Sequence, residues 1–385
     1  MNKRDFLKTI GAASVAAMFP HAAIAAPGSA YGNLLILVEL KGGNDGLNTV
    51  IPYAASEYYA LRPRLGIARD QVLQLDQRTG LHPSLQALMP LWQARELAVV
   101  QGLGYPNPNL SHFRSIEIWD TAANSSEYLS DGWLGRAFAQ APTPKSYAAD
   151  GVVVGGADLG PLAGPTTRAI ALTNPEQFIR QARLAGQSAP LRTGALQHIM
   201  RVESDVVQAA GTLNAEYAFR TEFPRSGFGN AVRAAAQVVA TKAGVAVIKV
   251  ELNGFDTHSN QAPVQARLLR DLADGLAALK SALVEIGRWD SALIVTYAEF
   301  GRRPRENQSG GTDHGTANAH FVMGGRVAGG LYGEPPALAR LDGGGNLPHT
   351  LDFRQLYATV LQRWWSLDSQ GPLRGRFAPL PLIKA

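Results

Sequence analysis

Six side chains that could bind a divalent cation occur at four places along the chain. In chain order they are Asp45, Asp256, His258, Glu299, Asp313 and His314. Oxygen and nitrogen ligands of this kind bind Zn²⁺, Mn²⁺, Mg²⁺ or Ca²⁺ without thiolates, and the chain has no cysteine. Crowded carboxylates repel one another, so such a cluster needs a bound cation or an arginine, for which Arg114 or Arg302 could partly serve. The residue types predict a divalent metal site and leave the identity and number of the ions open.

Three residues at the start of one predicted helix could act on an anionic ester. Ser111 begins a helix predicted over residues 111–123, and the free N–H groups of a helix N-terminus attract anions. A hydroxyl there, close to a metal, could be a nucleophile, although a helix N-cap explains the serine equally well. His112 could bind the metal, orient Ser111, or simply be packed and hydrogen-bonded. Arg114 could bind a phosphate or sulfate, or be solvated or ion-paired.

Four near-continuous apolar runs are typical of strands that are buried on both faces. They cover residues 34–40, 97–103, 245–252 and 292–297, and amphipathic helical patterns lie between them. This alternation predicts an α/β fold with a doubly wound, mostly parallel sheet. Ligands in such folds bind beyond the C-terminal ends of the strands. We therefore expect the polar clusters that follow these runs to converge at one edge of the sheet.

One stretch, residues 143–225, interrupts the alternation. It is rich in Ala, Gly, Gln and Pro, with helical patches at residues 175–185 and 191–218. We interpret it as a helical and loop insertion in a single domain that covers residues 26–385. Length alone would also allow two smaller domains.

Composition excludes several classes of protein. Apolar residues make up 46% of the chain and charged residues 17%, which excludes an intrinsically disordered protein. The formal net charge of +5 is small for 385 residues, and no Lys/Arg-rich run of the nucleic-acid-binding type occurs. The sequence predicts a globular enzyme or binding protein without a nucleic-acid partner.

The N-terminus is typical of an export signal. Lys3 and Arg4 precede an apolar stretch over residues 9–19, and Ala-Ile-Ala at residues 23–25 forms a small-x-small cleavage site. We predict that residues 1–25 are a signal peptide that engages the export machinery and delivers the protein to the periplasm or the cell exterior. The start resembles a twin-arginine motif with Lys3 in place of the first arginine, which leaves the ordinary secretory route open. An uncleaved amphipathic helix is the alternative. No later segment has 18 consecutive apolar residues, so we expect no permanent membrane span.

A series of motifs carries a family resemblance over most of the chain. From about Leu34 to the C-terminal helix the order is GGNDGLNT, GLHPSL, YPNPNLSHFRS, GFDTHSNQ, EFGRR, GTDHGTAN and GGLYG. This series resembles the bacterial family of domain of unknown function 1501, whose members carry export signals and are similar to the alkaline phosphatase and sulfatase superfamily. The resemblance implies an alkaline-phosphatase-like fold.

The resemblance also implies roles for individual residues. The positions that match metal ligands of the superfamily are Asp45, Asp256, His258, Glu299 and His314 with Asp313 beside it, and Ser111 matches its nucleophile. Two departures stand out. Asp256 and His258 are separated by one residue where the superfamily often has three, and Glu299 stands in the place of an Asp-His pair. These departures leave open whether the site holds two ions or one.

Two functions follow from these observations. The ligand set, its place at the sheet edge and the serine at a helix start predict an exported metal-dependent hydrolase of phosphate or sulfate esters. The incomplete ligand pattern favours the alternative, a non-catalytic exported binding or assembly protein that retains the sulfatase-like fold.

Overall fold

The computed structural model describes residues 30–172, 217–241 and 244–384. The predicted signal peptide lies outside these residues. The helical patches predicted at residues 175–185 and 191–218 also lie outside them, except for residues 217 and 218.

The strands of the described chain form one large sheet and one small sheet. In chain order they are β1 (Leu34–Lys41), β2 (Val50–Ile51), β3 (Leu73–Gln74), β4 (Gly80–Leu81), β5 (Leu97–Gly104), β6 (Ala149–Val154), β7 (Ala169–Leu172), β8 (Val245–Asn253), β9 (Ala292–Tyr297), β10 (Asn318–Met323), β11 (Gly330–Tyr332) and β12 (Leu351–Asp352). The large sheet has the order β11-β5-β10-β9-β1-β8-β6-β7, with β12 also paired to β5, and β2, β4 and β3 form the small sheet. All four apolar runs that predicted strands lie in the large sheet.

Helices surround the large sheet. The α-helices are α1 (Gly46–Thr49), α2 (Ser56–Leu61), α3 (Met89–Gln93), α4 (His112–Thr121), α5 (Trp133–Gln140), α6 (Gly227–Ala240), α7 (Gln261–Glu285), α8 (Phe353–Thr359) and α9 (Gln370–Leu373). Short 3₁₀ helices cover Ala30–Gly32, Pro83–Leu88, Gly160–Leu162 and Trp289–Ser291, and a π-helix covers Val360–Trp364. Within the described ranges, no helix combines the length and apolar character needed to cross a membrane.

Strand pairing makes the sheet mixed but mostly parallel. Strand β1 pairs in parallel with β8 and β9, and β6 pairs in parallel with β7 and β8. Strand β10 runs antiparallel to β5 and β9. Seven of the eight residues of β1 are buried, as expected for a central strand that helices cover on both faces. The predicted α/β class is confirmed.

The two faces of β1 contact different helical layers because successive side chains of a strand point to opposite faces. Ile36 and Val38 belong to an apolar cluster that includes residues of α6 and α7. Leu35 and Leu37 belong to a second cluster, which includes residues of α4, α5 and α8. The chain thus forms three layers with the sheet in the middle, which holds the C-terminal ends of its parallel strands rigidly in place.

The stretch over residues 143–225 takes part in this sheet. Strands β6 and β7 lie within it and extend the sheet beyond β8. The sheet therefore reaches into the segment for which the sequence predicts an insertion.

Candidate metal centre

Three histidines and one aspartate converge beyond the C-terminal ends of β8 and β9. The residues are His112, Asp256, His258 and His314, and we call them the histidine cluster. His258 Nε2 lies 3.0 Å from Asp256 Oδ1, His314 Nε2 lies 3.4 Å from the same oxygen, and His112 Nε2 lies 3.4 Å from Asp256 Oδ2. The Nε2 atoms of His258 and His314 are 2.9 Å apart. Ligand atoms of His112, Asp256 and His314 lie within 4.8 Å of one another, so one ion could contact these three residues.

The other ring nitrogen of each histidine faces a hydrogen-bond acceptor. His112 Nδ1 lies 2.7 Å from Glu299 Oε1, His314 Nδ1 lies 2.7 Å from the carbonyl oxygen of Leu110, and His258 Nδ1 lies 3.4 Å from Asp313 Oδ1. Carbonyl and carboxylate oxygens only accept, so in a neutral ring Nδ1 carries the proton and Nε2 offers a lone pair. Histidines that bind metals typically have this arrangement, because the Nδ1 partner fixes the tautomer and the ring orientation.

Two glycines allow the loops of the histidine cluster to approach closely. A Cβ on Gly42, whose φ is +111°, would lie 2.4 Å from the backbone nitrogen of Asp256. A Cβ on Gly311 would lie 2.3 Å from the carbonyl carbon of His258. Any other residue at these positions would separate the segment after β1, or the loop before β10, from the loop that carries Asp256 and His258.

Arg302 holds Asp256 in this position. Its guanidinium is fully buried and lies 2.6 Å from Asp256 Oδ1. It also donates to the carbonyl oxygens of Gly42, Gly43, Phe255 and Thr312. Burial opposes ionisation of Asp256, but the hydrogen bond and the charge of Arg302 outweigh it and lower the pKa of Asp256 to about 2. Asp256 is therefore an anion at neutral pH, as a metal ligand must be.

Asp45 occupies a different environment from the one the sequence predicts. It is 1% exposed, and Arg62 donates to both of its oxygens, at 2.6 Å to Oδ2 and 3.0 Å to Oδ1. Oδ1 also accepts from the backbone N–H of Leu47 at the start of α1, and Oδ2 accepts from Gln261 Nε2. Because these donors occupy the carboxylate, the structure makes Asp45 a buried ion-pair partner and helix cap, outside the histidine cluster. No pattern in the sequence indicates Arg62 as the partner of Asp45.

Glu299 and Asp313, both predicted as ligands, lie behind histidines. Glu299 is 2% exposed, and its Oε1 accepts from His112 and also from the backbone N–H of Gly42 at 2.9 Å. Asp313 is half-exposed and lies behind His258. Through these contacts the two carboxylates can orient the rings. The second oxygen of Glu299, Oε2, is buried and has no hydrogen-bond partner among the described residues.

Ser111 directly precedes His112 of the histidine cluster in the chain, at the start of α4. It is exposed and takes the N-cap position, but its side chain makes no capping hydrogen bond. Its backbone N–H donates to Asn109 Oδ1 at 2.8 Å. Among the described residues the Ser111 hydroxyl has no hydrogen-bond partner, so capping does not account for it.

Arg114 does not point into the histidine cluster. It donates to the carbonyl oxygens of Ser125 and Glu127 and forms an ion pair with Glu117 at 2.7 Å. Its guanidinium carbon lies 3.8 Å from the centre of the Tyr128 ring. These contacts match the ion-paired alternative for Arg114, and a contact with phosphate or sulfate stays a prediction.

The residues of the site fit a bound divalent ion. In the part of the chain that the structure describes, His112 Nε2 and Glu299 Oε2 are buried without a hydrogen-bond partner. Burial lowers the pKa of His314, which favours the neutral ring that binds metal, whereas the hydrogen bond to Glu299 raises the pKa of His112. Lone pairs of neutral imidazoles that face a carboxylate are unfavourable unless a cation or a shared proton lies between them.

Comparisons with known proteins place the chain in a family. Residues 33–374 match the profile of a family described as "Protein of unknown function (DUF1501)", and no curated protein sequence matches the chain. Solved structures of similar fold include a sulfatase from Pseudoalteromonas sp. (10% identity, 91% of this chain, 70% of that chain, TM-score 0.43). Another is a phosphonate monoester hydrolase from Silicibacter pomeroyi (12% identity, 90% of this chain, 75% of that chain, TM-score 0.39). A third is the C-terminal periplasmic domain of EcEptC from Escherichia coli (12% identity, 91% of this chain, 92% of that chain, TM-score 0.40). At such identities the activity of this chain has to be argued from its own residues.

Proposed function

The chain belongs to the DUF1501 family, and on that premise we propose that it is an exported, metal-dependent hydrolase of phosphate or sulfate esters. The observation that carries the proposal is the orientation of the three histidines. Each directs Nε2 towards Asp256 while an acceptor faces its Nδ1. Packing alone does not require three rings to share one tautomer around one carboxylate, whereas a metal site does.

His112, Asp256, His258 and His314 would hold the ion. Three imidazoles and one carboxylate favour Zn²⁺ over Mg²⁺ or Ca²⁺, which prefer oxygen ligands. When bound, the ion would lower the pKa of a nearby hydroxyl and neutralise charge on the ester oxygens. Arg62 already neutralises the carboxylate of Asp45, which favours a single ion.

Ser111 supplies the nucleophile in this proposal. Its oxygen loses its proton and attacks phosphorus or sulfur, the bond from that atom to the alcohol oxygen breaks, and the departing oxygen takes up a proton. Water then hydrolyses the resulting serine ester and releases phosphate or sulfate. The first turn of α4 directs uncapped N–H groups and the positive end of the helix dipole towards the anion. The side chains of Asp256 and His258 are 48% and 45% exposed, so an ester can reach the site from solvent.

The alternative function is a binding protein that does not turn over an ester. The buried ion pair between Asp45 and Arg62 favours it, because the aspartate that matches the superfamily's first ligand is engaged elsewhere.

The test compares metal content and turnover in one set of variants. Protein loaded in turn with Zn²⁺, Mn²⁺, Mg²⁺ and Ca²⁺ is assayed with p-nitrophenyl phosphate and p-nitrophenyl sulfate. We expect turnover in the wild type, a loss of roughly 10³-fold or more in Ser111→Ala with the metal retained, and loss of both metal and turnover in Asp256→Asn. Ser130→Ala, a change at an exposed loop serine, is the matched control. Metal binding without turnover of any ester would support the binding protein, and failure to bind any ion would contradict both the enzyme and the metal site.

We also propose that residues 1–25 direct export. N-terminal sequencing of protein recovered outside the cytoplasm should find a start near Ala26. Replacing Lys3 and Arg4 with Gln should leave the precursor inside the cell. A mature exported protein that begins at Met1 would contradict the signal.

A further inference from the structure

The three histidines of the cluster differ in how firmly the acceptor that faces Nδ1 is held. The acceptor of His314 is a backbone carbonyl oxygen, and that of His112 is Glu299, whose side chain is 3% exposed. His258 faces Asp313, whose side chain is 53% exposed and lies 3.4 Å away. A carboxylate in solvent has several rotamers open to it, and fixing one of them costs side-chain entropy. Asp313 therefore needs a second contact to stay behind the His258 ring.

Asn307 supplies that contact. Its Nδ2 donates to Asp313 Oδ1 at 3.3 Å and to the backbone carbonyl oxygen of His258 at 2.9 Å. Asp313 Oδ1 is also the atom that lies 3.4 Å from His258 Nδ1. One amide group thus contacts both the residue that carries the ring and the carboxylate oxygen that faces the ring.

The hydrogen bonds of the loop fix the orientation of the Asn307 amide. Its Oδ1 accepts from the backbone N–H groups of Ser309 at 2.9 Å and Gly311 at 3.0 Å. Turning the amide over would set its NH₂ group against these two donors, and its oxygen against the carbonyl of His258 and the carboxylate of Asp313. All four hydrogen bonds form in one orientation only, so this position requires an acceptor and a donor on the same short side chain.

The backbone of Asn307 is fixed as well. Its N–H donates to the carbonyl oxygen of Gly311 at 2.8 Å, and its carbonyl oxygen accepts from Arg64 Nη2 at 2.5 Å. Arg64 also donates to Glu306 Oε1 at 2.7 Å. These contacts hold the amide without help from any ion, so little further conformational entropy is lost when an ion binds.

We propose that Asn307 is a positioning residue of the metal site, which holds the Asp313 carboxylate behind His258 and thereby directs the lone pair of His258 Nε2 towards the ion. Asn307 acts through these two residues and is not a ligand. This inference rests on the proposed function, because it takes His258 to be a ligand. It makes the strength of metal binding depend on a loop residue outside the histidine cluster.

The experiment measures Zn²⁺ affinity by competition with a chromophoric chelator, which needs no turnover. Asn307→Asp keeps the oxygen that accepts from Ser309 and Gly311 and turns the donor into an acceptor that faces the Asp313 carboxylate. We expect it to bind Zn²⁺ about tenfold more weakly than the wild type, the lower end of the range for a changed outer partner of a metal-binding histidine. Gln308→Glu adds the same charge at an exposed position of the same loop. As the matched control it should change the affinity by less than about twofold, because solvent screens an exposed charge.

A second background separates positioning from a purely structural role. In Asp313→Ala protein the carboxylate is absent, so Asn307→Asp should weaken Zn²⁺ binding by only about threefold or less. Asn307→Ala removes the amide without adding charge and should behave like Asn307→Asp in both backgrounds.

Three results would overturn the inference and leave the proposed metal site in place. They are wild-type affinity in both Asn307 variants, an equal loss of affinity with and without Asp313, and an equal loss in Gln308→Glu. Failure of the wild type to bind Zn²⁺ would overturn the inference together with the metal site of the proposed function.

Discussion

The Glu299 carboxylate contacts a histidine of the cluster and a backbone amide. Oε1 accepts from His112 Nδ1 and from the backbone N–H of Gly42, so in the proposed metal site Glu299 would act through His112. We predict that Glu299→Gln weakens Zn²⁺ binding by about 10- to 100-fold without changing the number of ions bound, as is usual when an outer partner of a metal-binding histidine is changed. His314→Ala should abolish binding, because it removes an Nε2 atom. Competition with a chromophoric chelator measures both, with the exposed Asp342→Asn as control. Complete loss of the ion in Glu299→Gln would make Glu299 a ligand.

The ion pair between Asp45 and Arg62 gives a second prediction at the scale of residues. Both side chains are almost fully buried, so Arg62→Met leaves a carboxylate without its counter-charge. We expect a loss of about 3–5 kcal/mol in the free energy of unfolding, measured by urea denaturation. Asp45→Asn in the Arg62→Met background should recover part of it, because the buried charge is gone. Asp45→Asn alone should bind as much Zn²⁺ as the wild type, and a loss of the ion in that variant would restore Asp45 as a ligand.

The sequence predicted part of the site. Asp256, His258 and His314 follow or precede predicted strands, and the topology of a parallel sheet brings such segments to one edge. The partners of Asp45 and Arg114 could not be predicted this way. Arg62 follows α2 with no motif around it, and the contacts of Arg114 depend on the path of the loop after α4. Tertiary packing decides which neighbour reaches a carboxylate first.

At the scale of elements, strand β10 carries a buried base. His320 is fully buried, and in the described residues neither of its ring nitrogens has a hydrogen-bond partner. Its ring packs edge-on against Trp119, with 5.6 Å between the ring centres. Burial lowers the pKa of His320 to about 3, because the charged ring would lose its hydration.

This burial predicts a dependence of stability on pH. The unfolded chain binds a proton at His320 below about pH 6.5, whereas the folded chain does so only near pH 3. The stability that depends on a neutral His320 is therefore fully present above about pH 6.5. Below that pH the free energy of unfolding falls by about 1.4 kcal/mol for each pH unit, until the pH approaches the pKa of His320 in the folded chain. We compare the free energy of unfolding of the wild type with that of His320→Phe, measured by urea denaturation from pH 7.5 to 4.5. The wild type should lose about 2–3 kcal/mol more than the variant over this range, and parallel curves would show that His320 does not titrate in this way.

Strands β1 and β8 show where strand prediction from apolar runs loses detail. The runs correctly indicated two buried strands, yet they contain Glu39 and the fully buried Lys249, whose Nζ lies 2.9 Å from Glu39 Oε2. Lys249 also contacts Glu251 at 3.1 Å. Charged side chains are tolerated in such strands because a partner on the neighbouring strand compensates the charge. The parallel register places Glu39 opposite Glu251 and Leu37 opposite Lys249, which brings Lys249 within reach of Glu39. The apolar runs alone do not show this register.

For the whole molecule, alternating strands and helices were sufficient to predict the α/β class and the central strands. They did not give the strand order, and they did not predict that β10 enters antiparallel between β5 and β9. The order of strands in a sheet depends on how the segments that connect them pack, and the local periodicity of the sequence does not determine that packing. Strands β6 and β7 are short and lie in a segment rich in Ala and Gly. Their place in the sheet depends on the pairing of β6 with β8 and of β7 with β6, which the sequence pattern does not show.

The measurement that tests the central claim most directly is a crystal structure of the mature protein grown with Zn²⁺, with anomalous data collected at the zinc edge. The account predicts one anomalous peak in the histidine cluster, about 2.0–2.2 Å from an Asp256 oxygen and from the Nε2 atoms of His112, His258 and His314. It also predicts no peak at Asp45, whose carboxylate should remain on Arg62. Absence of zinc from the histidine cluster, or a peak on Asp45, would contradict it.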